Sequence, residues 1–304
     1  MIKSITVTNY LGDSIKLDLA RPELSGFAVL SITGLGPGTS TINTTEVSTG
    51  DGGIFNSARL SVRNIVISLG FLWKNSIEEV RHQSYKYFPL KKKLTLLFET
   101  DTRMAEIEGY VESNDPAIFS SQEGSDISII CPDPLFYAVG ENSINVTTFS
   151  AIEPLFEFPF GNESLDTCLL EVGKIHDVFE KSVVYEGDAD TGVTINIHAV
   201  GEASNIMIYN PRTRETMTID TTKLESLVGS GISAGDDIVI CTIKGKKSIK
   251  FVRDGKTTNL LGCLSKDSKW FQITKGDNVF GYTAETGSGN LQFRIENRIV
   301  YEGV

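Results

Sequence analysis

The sequence predicts a mainly β protein built from two domains. Apolar and polar residues alternate with a period of two along most of the chain, as in strands with one buried face. The 304 residues are about twice the usual size of a single domain. Glycine occurs 28 times, and turn-forming residues separate the alternating segments. Many short strands between turns are typical of antiparallel β-sandwiches.

Alternation in the first half predicts two hairpins, at residues 5–19 and 94–111. In the second hairpin, glutamates occupy the face opposite the apolar residues, so we expect that face to be wet. Between the hairpins, apolar residues fall on even positions at 58–62 and on odd positions at 65–69. Because a one-residue shift turns every side chain to the other face, the pattern requires a bulge or break near Asn64.

One helix is predicted between these hairpins. Ser76-Ile77-Glu78-Glu79 has the spacing of a capping box, in which the serine accepts a hydrogen bond from the Glu79 amide. Apolar residues then follow helical spacing, and Pro89 ends the helix.

The second half repeats the alternating pattern. Apolar residues alternate with polar ones at residues 156–160, 193–197 and 291–295, with turn residues between the segments. We therefore predict a second antiparallel sandwich or jelly roll. The domains are placed at residues 1–145 and 151–304.

Charge and hydropathy exclude several classes of protein. The 28 basic and 39 acidic residues give a net charge of −11, which disfavours a protein that grips phosphate backbones. A hydrophobic content of 40% excludes a disordered chain. The longest apolar run, residues 65–73, is far shorter than the ~20 residues that span a membrane. Residues 1–8 alternate, unlike a signal peptide, so we expect synthesis in a cytoplasm without export.

No catalytic, cofactor or metal site is predicted. Four cysteines lie far apart in the sequence: Cys131, Cys168, Cys241 and Cys263. No histidine lies near them, so buried thiols are expected. The glycine-rich residues 34–38 lack the lysine and helix of a phosphate loop. Glu106 and Glu108 fit an exposed strand face better than a glycosidase pair. Asp188 and Asp190 leave open a calcium loop, although the full ligand pattern is missing.

Residues 39–54 form an unusually long connection, rich in threonine and glycine. Connections longer than ~12–15 residues are uncommon and are usually functional, so we predict an arm that is either disordered or lies across a neighbouring subunit. The apolar run at residues 65–73 follows it, and obligate oligomers bury such surfaces. The predicted subunit interface comprises Ile54, Phe55, Ile65, Ile67, Phe71 and Trp73.

Several segments, in this order, resemble the siphophage distal tail protein family. In the first half they are Gly34-Leu35-Gly36-Pro37, the glycine-rich arm, Arg59-Leu60-Ser61-Val62, the short helix, Leu94-Thr95-Leu96-Leu97-Phe98 and Cys131-Pro132-Asp133-Pro134-Leu135-Phe136. In the second half they are Gly235-Asp236-Asp237-Ile238-Val239-Ile240, Asn259-Leu260-Leu261, Ser268-Lys269-Trp270-Phe271 and Lys275-Gly276-Asp277-Asn278-Val279-Phe280.

The resemblance implies a structural hub at the tip of a phage tail. The first domain is then a β-sandwich with a helix and a belt-like arm, which forms a ring, usually a homohexamer. The second is a galectin-like domain that projects outward and carries receptor-binding proteins. The implied partners are the tail-tube protein and the tail-associated fibre or lysin protein, with no membrane and with DNA only as passing cargo. The implied location is the virion.

Two other functions remain open at this point. A carbohydrate-binding adhesin is the main alternative, since Asn210-Pro211-Arg212 with Glu215 faintly resembles galectin sugar-binding residues, and Trp270, Tyr282 and Tyr301 are aromatic groups that stack on sugars. Asn-Pro is, however, also an ordinary turn starter. A glycan hydrolase is disfavoured because no acid and base pair is evident.

Overall fold

Antiparallel strands make up most of the chain, as the alternation predicts. The computed structural model describes residues 1–46, 50–72, 76–120, 122–141, 143–150, 152–154, 173–175 and 179–304. These residues divide into two compact units, which are described separately. No helix in these ranges is long and apolar enough to cross a membrane.

Unit 1 is built from ten strands and one helix before the chain enters unit 2. They are β1 (Ile2–Thr8), β2 (Ser14–Asp18), β3 (Phe27–Thr33), β4 (Ser40–Glu46), β5 (Gly53–Leu60), β6 (Arg63–Phe71), α1 (Ile77–Tyr87), β7 (Lys93–Thr100), β8 (Met104–Pro116), β9 (Gly124–Cys131) and β10 (Phe136–Ala138). Both predicted hairpins are present, as β1–β2 and β7–β8. The predicted break lies at residues 61–62, between β5 and β6.

One antiparallel sheet carries the core of unit 1. Its strands follow the order β2-β1-β7-β8-β9-β6-β3, and β10 pairs with β8. Alternate side chains of these strands point inward and form a single apolar cluster that includes Ile5, Leu96, Ile107 and Ile129. Helix α1 contributes Val80 to this cluster. Ser76 caps the helix as predicted, except that its hydroxyl accepts from the Glu78 amide instead of the Glu79 amide.

Unit 2 is a β-sandwich with one helix. Its elements are β11 (Ile144–Ser150), β12 (Ile152–Pro154), β13 (Gly173–Ile175), β14 (Phe179–Tyr185), β15 (Thr194–Ala199), β16 (Ser204–Asn210), β17 (Glu215–Ile219), α2 (Thr221–Val228), β18 (Asp237–Cys241), β19 (Ser248–Arg253), β20 (Lys256–Asn259), β21 (Gly276–Thr286) and β22 (Leu291–Arg298). A sheet in the order β11-β22-β15-β18-β19-β20 faces a sheet in the order β14-β21-β16-β17. Their inward side chains share one core, which includes Ile195 and Phe293 from the first sheet and Ile208 and Phe280 from the second. The predicted strand at residues 156–160 lies outside the described residues.

The chain returns to unit 1 after β22. Strand β23 (Val300–Tyr301) pairs with β10, which places Tyr301 opposite Phe136. Unit 1 therefore comprises Met1–Ser143 with Val300–Val304, and unit 2 comprises Ile144–Ile299. The sequence-based division assigned these last residues to the second domain. A two-residue strand whose partner lies far away in the sequence leaves no local pattern that reveals the pairing.

Candidate subunit interface

The predicted arm is a β-hairpin that stands apart from the sheet of unit 1. Its strands β4 and β5 pair only with each other, and every described residue from 39 to 60 is exposed. We call residues 40–60 the arm; it extends beyond the predicted end at residue 54, because Ile54 lies within β5. An isolated two-stranded hairpin is marginally stable in water. The arm therefore has the form of an element that requires a packing partner.

One face of the arm is apolar. Strand pairing places Ile42 opposite Ala58, Leu60 opposite Ser40 and Phe55 opposite Thr44. Opposed residues share a face, and every second residue along β4 returns to it, so these apolar side chains lie on one side of the hairpin. Ile42 and Phe55 are 60% and 62% exposed. We call the four apolar side chains, Ile42, Phe55, Ala58 and Leu60, the apolar face; Ser40 and Thr44 lie on the same side of the hairpin.

The opposite face of the arm is polar, apart from Ile54, and satisfies its own hydrogen bonds. The Asn43 amide donates to the Ser57 hydroxyl at 3.0 Å, and the Thr41 and Ser61 hydroxyls lie 3.0 Å apart. A register shift between Asn43 and Thr44 leaves an extra residue in β5. Because these polar groups are already paired, this face gains little by packing on a partner. The apolar face, in contrast, exposes apolar side chains to water.

The structure separates the six predicted interface residues into three groups. Ile54 and Phe55 are exposed on the arm. Ile65, Ile67 and Phe71 are no more than 2% exposed and belong to the core of unit 1, so their side chains offer no surface to a neighbour. We correct the interface assignment for these three. Trp73 lies outside the described residues.

Three exposed apolar residues in and beside the arm were not part of the predicted interface: Ile42, Leu60 and Val62. Val62, just beyond the arm, is 61% exposed. The alternation at residues 58–62 correctly indicates a strand as far as Leu60, but alternation alone does not tell a core-facing row from a row that faces water. The arm's lack of a third strand supplies that information, and it is visible only in the structure.

A buried arginine holds the root of the arm. Arg63 lies three residues after the end of the arm and is 5% exposed. Its guanidinium donates to the backbone carbonyls of Gly34 and Pro134 at 2.6 Å each, of Gly36 at 2.5 Å and of Glu302 at 2.6 Å. Burial lowers the pKa of Arg63 from its usual value. Arginine nevertheless stays protonated in proteins, so this site holds a buried cation.

The ring of Phe136 lies beside this cation. The guanidinium carbon is 4.7 Å from the ring centroid, within the range of a cation–π interaction. The nearby Cys131 is buried, and this burial raises its pKa to about 11, so its thiol stays neutral at pH 7.

Three of the residues considered for sugar binding have structural roles in unit 2. Asn210 is 3% exposed, and its side-chain oxygen accepts from the Arg212 amide at 2.9 Å, which is an Asx turn. Arg212 itself donates to the Asp277 carbonyl at 2.8 Å. Tyr282 is buried and stacks on Phe293 with ring centroids 3.8 Å apart. These three side chains are therefore engaged in contacts within unit 2.

Two of the other chemical candidates form ion pairs. Glu108 lies 2.7 Å from the Lys93 ammonium, and Asp188 lies 3.2 Å from the Lys275 ammonium. Within the described ranges, no group of three or more His, Cys, Asp or Glu side chains has a metal-binding arrangement. The arm is therefore the feature of unit 1 that most clearly requires a partner.

The fold matches a solved phage protein over almost its whole length. The crystal structure of the SPP1 Dit (gp 19.1) protein aligns with a TM-score of 0.65 at 12% sequence identity, covering 97% of this chain and 98% of that chain. The chain has the Dit fold. The SPP1 Dit protein is described as a paradigm of the hub adsorption apparatus in phages that infect Gram-positive bacteria. The Dit fold agrees with the sequence resemblance to distal tail proteins.

Two structures of the phage p2 baseplate also align with the Dit fold of this chain. They are the activated conformations with Sr and with Ca, each at a TM-score of 0.44, with 11% and 12% sequence identity. The first covers 97% of this chain and 98% of that chain, and the second 98% and 99%. No protein-family model and no curated protein sequence matches the chain.

Proposed function

We propose that the chain is the structural hub of a siphophage or prophage tail tip. In this role it forms a hexameric ring that joins the tail-tube protein to the tail-associated fibre or lysin protein. The observation that carries the proposal is the Dit fold, which is shared over 97% of this chain and 98% of the SPP1 protein despite 12% identity. Agreement across both units favours the same kind of assembly over the reuse of a single domain. The virion tail tip is then its location, and it has no catalytic role.

The arm is the proposed ring-forming element. We infer that its apolar face packs on a second copy of this chain. Burying a large apolar side chain contributes about 1.5–3 kcal/mol, and Ile42, Phe55 and Leu60 are three such side chains. Ile54 lies on the opposite face, so we expect it to contribute less than Phe55.

The second unit is proposed to support receptor-binding proteins during adsorption. Its described residues include a hydrophobic core of their own, drawn from both of its sheets, which supports a role as a platform. The net charge of −11 is compatible with a ring through which DNA passes, since a basic lining would bind phosphates.

Reconstitution with the tail-tube protein of the same phage tests this function. Negative-stain microscopy of the full chain, alone and mixed with the tube protein, is expected to show closed six-fold rings that stack on the ends of tubes. A chain that stays monomeric under both conditions would refute the hub. If the monomer instead bound defined sugars on a glycan array, the adhesin alternative would replace it.

A further inference from the structure

Three segments that are distant in sequence meet at the root of the arm. Residues 34–36 lead into β4, Arg63 follows β5, and residues 302–304 arrive after the chain has returned from unit 2. The Val304 amide donates to the Leu35 carbonyl at 3.1 Å, and the Ser61 amide donates to the Thr39 carbonyl at 2.9 Å. The first bond joins the returning chain to the segment that leads into the arm, and the second closes the base of the hairpin itself.

Arg63 connects all three segments. Its hydrogen bonds to Gly34 and Gly36 hold the incoming strand, and its hydrogen bond to Glu302 holds the returning chain. A buried charge is costly unless its hydrogen-bonding groups are satisfied, so each carbonyl matters to the cation. Because these acceptors are backbone atoms, the guanidinium fixes the path of the chain and not merely the position of side chains.

The packing between residues 303 and 35 is also close. A Cβ atom added to Gly303 would lie 2.8 Å from the Leu35 carbonyl oxygen, a distance that real Cβ atoms essentially never show. Only glycine lets the returning chain approach the arm root this closely. By contrast, a Cβ atom added to Gly36 would meet nothing within 4 Å.

We propose that Arg63 and residues 302–304 form a clasp that fixes the direction in which the arm leaves unit 1. The arm is then presented for docking only after the chain has completed unit 2 and returned. The docking part rests on the proposed ring function. Outside its root the arm has no strand partner, so without the clasp it is free to swing. A swinging arm loses more conformational entropy when it docks, which weakens assembly.

Two variants with a matched control test the clasp. Gly303→Ala pushes on the Leu35 carbonyl, and Arg63→Met removes the four hydrogen bonds of the guanidinium. Gly262→Ala makes the same glycine-to-alanine change in unit 2, where the added Cβ atom meets nothing within 4 Å. Gly303→Ala keeps the test valid should Arg63→Met fail to fold.

The first readout is amide hydrogen exchange of the full chain, diluted until it is monomeric. In Arg63→Met, the Val304 amide is expected to exchange about tenfold faster or more, the factor for losing a hydrogen bond to a charged group. In Gly303→Ala, which strains the neutral hydrogen bond from Val304 to Leu35, it is expected to exchange about threefold faster or more. Protection in unit 2 of both clasp variants, and at Val304 in Gly262→Ala, should match the parent chain. Unchanged exchange at Val304 in Gly303→Ala would overturn the clasp.

The second readout is the concentration at which rings dissociate, measured by mass photometry. Both clasp variants are expected to raise it, Arg63→Met about tenfold or more and Gly303→Ala about threefold or more, for the same energetic reasons. If subunits with a loosened arm root formed rings as stable as those of the parent chain, the link between the clasp and docking would be refuted. A parent chain that never forms rings would refute the proposed function instead, while hydrogen exchange would still report on the clasp.

Discussion

Truncating Phe55 is the sharpest test of the arm's apolar face. The side chain is 62% exposed and points to the same side as Ile42 and Leu60. An aromatic residue buries roughly 200 Å² when fully covered, so about 120 Å² remains to be covered by a neighbour. At about 25 cal/mol per Å², this area is worth about 3 kcal/mol per interface. Phe55→Ala keeps the Cβ atom, so we expect a loss of about 2–3 kcal/mol.

Such a loss raises the dissociation constant of each interface about 30- to 150-fold. The assay is mass photometry across a dilution series of Phe55→Ala and the parent chain, with circular dichroism to show that the fold is intact. Ile54→Ala is the matched variant, because Ile54 is 60% exposed, adjacent in sequence and on the opposite face. Its effect should be clearly smaller.

Equal stability of Phe55→Ala and parent rings would show that the apolar face does not dock. A larger loss for Ile54→Ala than for Phe55→Ala would mean that the other face of the arm contacts the neighbour.

Three further predictions concern the units themselves. Phe71→Asp places an unpaired charge in the core of unit 1, which costs several kcal/mol, so soluble yield and the cooperativity of melting should both fall. Arg253→Met leaves the buried Asp236 carboxylate without the guanidinium that donates to it at 2.7 Å, so unfolding free energy from urea titration should drop by about 3–5 kcal/mol. Hydrogen bonding from Lys16 lowers the pKa of Glu99 below its usual 4.5, so the stability from this pair is present above pH 4.5 and is lost as the pH falls through the lowered pKa. In Lys16→Met, NMR titration should show the Glu99 pKa moving back up, and an unmoved pKa would contradict the assignment.

Local patterns in the sequence predicted most strands and the first helix. The alternation around residues 5–19 and 94–111 fixes which side chains face inward, because one face of each hairpin is buried. Ser76 marks the start of helix α1 because its hydroxyl satisfies an amide in the first turn. Helix α2 was missed, although Asp220 caps its start and Gly229 follows its end. Its eight residues are too few to show a clear helical period.

The errors at the interface have a different cause. The run at residues 65–71 is apolar because β6 lies between β3 and β9 and lines the core, but an apolar strand that pairs within its own chain has the same sequence as one that pairs with a neighbour. The role of Arg63 could not be predicted from the sequence, because the four carbonyls that it binds belong to residues 34, 36, 134 and 302. Contacts between distant parts of the chain are set by the folded path and not by local composition.

The mass of the protein in solution, measured with and without the arm, tests the central claim most directly. The comparison uses the full chain and a chain in which a short turn replaces residues 40–60, both at micromolar concentration with the tail-tube protein available. The account predicts a species of six times 33.3 kDa for the full chain and a folded monomer for the armless chain. Rings of the same size from both chains would show that the arm does not form the ring, and monomers from both would contradict the hub.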